Sequence, residues 1–198
     1  MKIDAMTPGA SDKSGLEALK ARQGAGARYD APDAPGEYLL LARRGSAFFA
    51  RKLNELSDVD LDAPSLRKGW SRRHVVVDVC YSARVQAIAL KTLREPLTPE
   101  EEAWKPNLRL AATLPPRAIR HLYEHTSVHL NVEYRDLAND DWKHAISFGG
   151  QSSVPVRELP LRRAYKIWNA AYHLATGAKL SDLPDFPPGI QSTLSQNS

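Results

Sequence analysis

Four stretches of this chain carry apolar side chains at the three- and four-residue spacing of an amphipathic α-helix. They cover residues 35–57, 71–93, 115–137 and 157–176. A helix with one apolar face must bury that face against another element, and 198 residues are enough for one domain with a sizeable core. The pattern therefore predicts an all-α fold, an antiparallel four-helix bundle. Functional sites in such bundles are built from inward-facing side chains.

Local signals between these stretches predict where the helices begin and end. Ser71 is a plausible N-cap for the second helix, and Thr98-Pro99-Glu100-Glu101 is typical of the start of a short helix that reaches Trp104. The run Val75-Val76-Val77 would also suit a strand, but the helical periodicity continues past it. Residues 142–156 contain Gly149-Gly150 and predict a loop or short hairpin. Gly177 suits the end of the fourth helix.

The chain divides into three parts by composition. Residues 1–34 are rich in Gly, Ala, Ser, Pro and Asp, and they predict a flexible N-terminal arm because they offer little apolar surface to bury. Residues 35–190 form the predicted bundle, and residues 191–198 a disordered tail.

Composition also limits the classes of partner. No apolar run is long enough to cross a bilayer, and the single cysteine, Cys80, suits a reducing cytoplasm. The net charge of +4 is spread over isolated arginine pairs rather than a continuous basic stripe, which argues against nucleic acid. We therefore expect a cytoplasmic monomer or homodimer that acts on a small molecule, away from membranes.

Several separated segments resemble one known family. The segment Gly69–Asp78 resembles the second-helix signature of the mycothiol-dependent maleylpyruvate isomerases, which are DinB-like four-helix proteins. Further matching segments are Leu122–His125, Leu161–Arg163, and Gly177 with Leu183-Pro184. The resemblance extends from about residue 39 to residue 190 and implies a DinB-like bundle with one long crossover connection.

The same resemblance implies that a metal site has been lost. The family's ligands are a histidine on the second helix and a glutamate and a histidine on the last helix, and those positions here are Asp78, Lys166 and Ala170. A family arginine that handles the anionic substrate aligns best with Trp104, and we expect the family's small C-terminal domain to be absent. The chain is therefore predicted to use no metal cofactor and to act on a substrate other than maleylpyruvate.

Asp78 and Lys166 carry the main functional hypothesis, because the resemblance makes them converge on one point of the bundle interior. An ion pair there would replace the cation. We predict a metal-independent isomerase, cyclase or lyase, in which Asp78 transfers a proton and Lys166 stabilises negative charge. The alternative is a purely structural pair in a non-catalytic binding or regulatory protein. An accessible pocket reaching Asp78 would favour the enzyme.

Histidines provide candidate helpers and a third hypothesis. His74 lies one helical turn before Asp78, and His125 is predicted to face the cavity, so either is a candidate proton relay. His121, His125 and His129 are spaced four apart on the third helix, where each step drifts by about 40° around the axis. This cluster is where relocated ligands would lie if the protein kept a divalent metal and a low-molecular-weight thiol.

Four further residues are predicted to contact the substrate: Tyr81, Trp104, Tyr165 and Asn169. Tyr81 and Asn169 lie about one turn from Asp78 and Lys166, and Trp104 could line a pocket for a planar molecule. Cys80 follows Asp78 by two residues, roughly 200° around the helix, so it is expected to pack away from the site.

Overall fold

The computed structural model describes residues 29–148, 150–187 and 190. The predicted tail and all but the last six residues of the predicted N-terminal arm lie outside these residues. Helices and strands, in chain order, are α1 (Gly36–Asn54), α2 (Arg72–Lys91), α3 (Pro99–Ala103), α4 (Leu108–Ala111), α5 (Pro116–Asp136), β1 (Ala145–Phe148), β2 (Gln151–Pro155) and α6 (Leu159–His173). Within the described ranges, none of the helices combines the length and apolarity that crossing a membrane requires.

The four long helices α1, α2, α5 and α6 form the predicted all-α four-helix bundle. Helix α1 lies along α6, α2 lies along α5, and α2 also contacts α6. Their apolar faces meet in two core clusters. The first includes Phe49, Leu53, Val76, Val79, Ile119 and Ile167. The second includes Leu39, Leu90, Leu130, Trp142 and Leu159.

Helices α1 and α6 approach each other closely at Gly45 on α1. A Cβ atom at this position would lie 2.6 Å from Ile167 Cγ2 and 2.7 Å from Trp168 Nε1. The Trp168 indole donates a hydrogen bond to the carbonyl of Leu41 at 3.1 Å and stacks on Phe48. With Ile167 and Trp168 held against α1, the rotation of α6 is fixed and Lys166 is directed towards α2, where it meets Asp78.

The connections follow the sequence signals with local differences. The valine run Val75–Val77 is helical and buried inside α2. Thr98 forms a complete capping box with Glu101 at the start of α3, as its sequence predicts. Residues 142–156 contain a hairpin in which β1 and β2 pair antiparallel, with Ile146 opposite Val154.

The end of the fourth helix differs from the prediction. Helix α6 ends at His173 rather than near Thr176, and the left-handed residue that follows its C-cap is Ala175, with φ of 55°. Gly177 also has a positive φ, 79°, but it lies two residues farther along the chain. The carbonyl of Ala175 accepts a hydrogen bond from Arg72 at 3.2 Å, which ties this turn to the start of α2.

Candidate functional site

Asp78 on α2 and Lys166 on α6 form the ion pair that the sequence predicts. Lys166 Nζ lies 2.5 Å from Asp78 Oδ2. The sequence predicts that the pair lies in the bundle interior, but it lies nearer the surface. The side chains of Lys166 and Asp78 are 33% and 20% exposed. The pair is therefore in contact with solvent.

A second cation, Arg67, meets the same carboxylate. Its Nη1 lies 3.5 Å from Asp78 Oδ2, the oxygen that Lys166 also contacts. The guanidinium carbon lies 3.7 Å from the centre of the Trp70 ring, so the aromatic face supports the charge. The loop that carries Arg67 is held by hydrogen bonds from Ser65 N–H to Trp70 O at 2.9 Å and from Leu66 N–H to His173 O at 3.0 Å.

His173, the last residue of α6, borders this cluster. Burial lowers the pKa of its imidazole, and the charges of Arg67 and Lys166 lower it further, while Asp78 opposes them. The net shift is downward, so the ring is neutral at neutral pH. Sequence reasoning missed His173, although it lies seven residues after Lys166 and therefore shares a helical face with it.

Arg163 holds a third positive charge beneath the pair, one turn before Lys166. Its side chain is buried and donates hydrogen bonds to Val79 O at 2.9 Å and Ser82 Oγ at 3.3 Å. Burial lowers the pKa of this guanidinium, and Asp78 is among the charges that raise it. An arginine stays protonated even here. Three cations therefore act on one carboxylate, and the site is electropositive.

The positions that the resemblance assigns to metal ligands do not suit a divalent cation. They present one carboxylate, one ammonium and the methyl group of Ala170, and the ammonium directly contacts the carboxylate. A metal site needs several neutral or anionic donors around one point. Nor does the described part of the chain bring three His, Cys, Asp or Glu side chains together in a group that could hold a metal.

His74 is half-buried and engaged with its own turn. Its Nδ1 lies 2.8 Å from Ser71 Oγ, and its ring centre lies 6.0 Å from that of Trp70. Ser71 is the N-cap residue of α2, as expected, but its side chain makes no capping bond. A relay from His74 to Asp78 stays a prediction.

The histidines of α5 lie away from the interior. His121 and His125 are exposed, with ring centres 6.4 Å apart, so the expectation that His125 faces the cavity is corrected. Both line an open groove of about 580 Å³, together with Leu114, Pro115, Arg117, Ala118 and Leu122. His129 contacts Glu133 instead, with Nε2 3.3 Å from Oε1.

The predicted substrate contacts form two separate groups. Tyr81 meets the edge of Trp104 at 5.3 Å between ring centres, and Arg84 lies 4.5 Å from the centre of the Trp104 ring. Tyr165 packs against Phe186 at 5.2 Å, and Asn169 Nδ2 donates to the carbonyl of Tyr165 at 2.8 Å. Their roles as substrate contacts stay predictions.

Cys80 is unsuited to nucleophilic chemistry. The thiol is buried in the core, and burial raises its pKa to about 12. It is therefore protonated at neutral pH, which agrees with the expectation that it packs away from Asp78.

Comparison with known proteins places this geometry in context. The profile of the mycothiol maleylpyruvate isomerase N-terminal domain matches residues 42–169. A crystal structure of the mycothiol-dependent maleylpyruvate isomerase is similar, with a TM-score of 0.67 and 29% identity over 76% of this chain and 64% of that one. A histidine-to-alanine mutant of the isomerase gives a TM-score of 0.66 with the same identity and coverage. The chain thus spans about 64% of the length of these structures. No curated protein matches it.

Proposed function

This chain belongs to the family of mycothiol maleylpyruvate isomerase N-terminal domains, and from that membership we propose that it is an isomerase-type enzyme acting on a small molecule. Its acid–base chemistry would use Asp78 and Lys166 and would need no metal. A cyclase or a lyase would use the same groups in the same way. The observation that carries the proposal is the partly exposed Asp78–Lys166 contact of 2.5 Å between α2 and α6.

The arrangement of charges supports proton transfer at Asp78. The shortest contact of each cation is with Oδ2, so Oδ1 is the oxygen that would receive a proton from a substrate. A carbonyl oxygen of the substrate would accept a hydrogen bond from Lys166, which would loosen the Lys166–Asp78 contact and free the carboxylate for the substrate's proton. The ammonium would then stabilise the negative charge that develops on that oxygen.

A proton removed from the carbon beside the carbonyl would return at another carbon of the substrate. Asp78, once protonated, would deliver it, so no net proton is gained or lost over the cycle. Lys166 acts as an electrostatic partner and takes no part in the proton transfer. Its contact with a carboxylate makes it a poor nucleophile for Schiff-base chemistry.

The proposal is tested by proton exchange, which needs no knowledge of the final product. A panel of small carbonyl-bearing and unsaturated metabolites is incubated with the protein in D₂O and followed by ¹H NMR. We expect one class of compound to lose its carbon-bound proton or to form an isomer. Asp78→Asn should slow that reaction by about 100-fold or more, the range of general acid–base catalysis.

Asp140→Asn is the matched control, because Asp140 also pairs with a lysine, Lys143, at 2.7 Å, but on the exposed surface. It should leave the rate unchanged. A reaction that survives Asp78→Asn at full rate would overturn the assignment of the base. Treatment with EDTA should not change the rate, and loss of the reaction on chelation would instead indicate metal chemistry with relocated ligands.

A non-catalytic binding or regulatory protein is the second candidate. The Lys166–Asp78 contact is compatible with this function too, since a pair of opposite charges can join α2 and α6 without any chemistry. Saturable binding of a compound from the panel, with no exchange and no conversion at any pH, would support this second function.

A further inference from the structure

Arg67 and Lys166, the two cations beside Asp78, carry more N–H donors than the Asp78 carboxylate can accept. Among the described residues, the Arg67 side chain makes a single hydrogen bond, the 3.5 Å contact with Asp78, and Lys166 has no ion-pair partner besides Asp78. A guanidinium carries five N–H groups and an ammonium three. Most of these donors are therefore available to a ligand.

The orientation of Arg67 favours a ligand with paired oxygens. Its guanidinium carbon lies 3.7 Å above the Trp70 ring. The N–H groups lie in the guanidinium plane, and among the described residues only Nη1 donates a hydrogen bond, to Asp78, so one edge of the group stays free. Such an edge matches the two oxygens of a carboxylate or phosphate.

The charge balance also favours an anion. Arg67, Lys166 and the buried Arg163 act on Asp78, which leaves an excess of positive charge. Arg163 is 4% exposed, and within the described chain its Nη2 atom has no hydrogen-bond partner. One bound anion would offset part of this excess, whereas a neutral ligand would leave it unchanged.

We propose that Arg67 and Lys166 form a clamp that binds the oxyanion group, a carboxylate or a phosphate, of a small ligand beside Asp78. Arg67 holds the oxyanion along its free edge, and Lys166 bridges the oxyanion and Asp78. The clamp fixes one end of the ligand and leaves Asp78 Oδ1 facing the rest of it. The clamp uses the site of the proposed function, but it requires no turnover. An experiment can therefore disprove anion binding without disproving catalysis, and the reverse.

The test measures binding to the full chain by NMR. Sodium acetate replaces sodium chloride at constant ionic strength, and inorganic phosphate is titrated in a parallel series. The readouts are the Arg67 Nε–Hε and Trp70 indole N–H signals, with the His173 ring as a third reporter. We expect saturable shifts of all three with acetate, with phosphate, or with both, and the responding anion identifies the class of oxyanion.

Acetamide is the neutral control, because it has nearly the shape of acetate without the charge. It should produce no saturable shift. Arg67→Gln should weaken binding of the responding anion by about tenfold or more, as expected for loss of a charged hydrogen-bond donor. Arg67→Lys should restore part of the affinity, since it keeps the charge but not the planar edge.

Arg51→Gln is the matched variant, because Arg51 also lies over an aromatic ring, at 5.6 Å from the centre of Phe48, and the variant changes the net charge equally. It should bind like the unmodified protein. The proposal is wrong if neither anion binds saturably, if acetamide binds as well as acetate, or if Arg67→Gln and Arg51→Gln weaken binding equally. Turnover without anion binding would overturn the clamp and leave the proposed function standing.

Discussion

Two carboxylates of the bundle, Asp78 on α2 and Glu133 on α5, each meet two nitrogen-bearing side chains, yet the two arrangements differ. Glu133 uses both of its oxygens: Arg94 Nη2 lies 2.6 Å from Oε2, and His129 Nε2 lies 3.3 Å from Oε1. Asp78 receives both of its cations on Oδ2. The Glu133 side chain is 8% exposed and that of Asp78 20%. Glu133 is thus a closed structural contact, and Asp78 an open one.

The pKa of Glu133 agrees with a structural role. Burial is the largest influence and raises the pKa, but hydrogen bonds from His129 and Arg94 together outweigh it, and the net pKa lies below its ordinary value. Arg94 Nη1 also reaches the backbone carbonyl of Glu133 at 3.5 Å. Arg94 therefore joins the end of α2 to α5 through both the side chain and the backbone of Glu133.

The largest effect on stability should come from Glu133→Gln. The variant removes the charge of a side chain that is only 8% exposed and weakens its hydrogen bonds with Arg94 and His129, which are 23% and 33% exposed, so we expect the free energy of unfolding to fall by about 2 kcal/mol. Urea denaturation followed by circular dichroism measures this change. Glu124→Gln, at an exposed position on the same helix, should stay within about 0.5 kcal/mol of the unmodified protein. Equal losses in the two variants would contradict the structural role of Glu133.

The contact of Glu133 with Arg94 and His129 should also make the stability of the protein depend on pH. The pKa of Glu133 is lower in the folded protein than in the unfolded chain. Its ionised form therefore stabilises the fold at any pH above the pKa of the unfolded chain. That stabilisation is lost as the pH falls through the pKa of the folded protein. The difference in unfolding free energy between the unmodified protein and Glu133→Gln should therefore narrow as the pH falls from about 6 to about 3. A difference that widens over this range would show that the sign of the shift is wrong.

Asp78→Asn should change stability less than Glu133→Gln does. Its partners Lys166 and Arg67 are each about one third exposed, so water can solvate them when the carboxylate is removed. We expect a loss of at most about 1 kcal/mol, as for partly exposed ion pairs. The same denaturation experiment tests this, with Glu133→Gln as the internal standard. A loss as large as that of Glu133→Gln would make Asp78 a structural residue and favour the non-catalytic reading.

The sequence predicted those features that local patterns determine. The helical spacing of apolar residues gives the four long helices, and the Thr98–Glu101 capping box gives the start of α3. The end of α6 was misplaced because Ala175, rather than a glycine, adopts the left-handed conformation beside Arg72. The turn is thus associated with a tertiary contact, the hydrogen bond from Arg72 to Ala175 O, and not with the backbone preference of alanine.

The candidate site was only partly predictable for the same reason. The family resemblance placed Asp78 and Lys166 together, since both lie on helices whose register the bundle fixes. Arg67 lies in a loop, and its position depends on the hydrogen bond from Leu66 N–H to His173 O, a contact between distant parts of the chain. No periodicity in the sequence encodes such a contact, so the second cation of the site became visible only in the structure.

The smallest effect we predict is a shift of the His173 pKa, and its direction distinguishes the roles of the neighbouring charges. Arg67 and Lys166 lower that pKa and Asp78 raises it. Arg67→Gln should therefore raise the pKa of His173, and Asp78→Asn should lower it, as measured by the pH titration of the ring signals in ¹H–¹³C spectra. The ring signals of His144, which is exposed and lies outside the cluster, serve as the control and should be the same in all three proteins. Shifts in the same direction in both variants would contradict the opposing effects of Arg67 and Asp78 on the pKa of His173, and burial would then be its main influence.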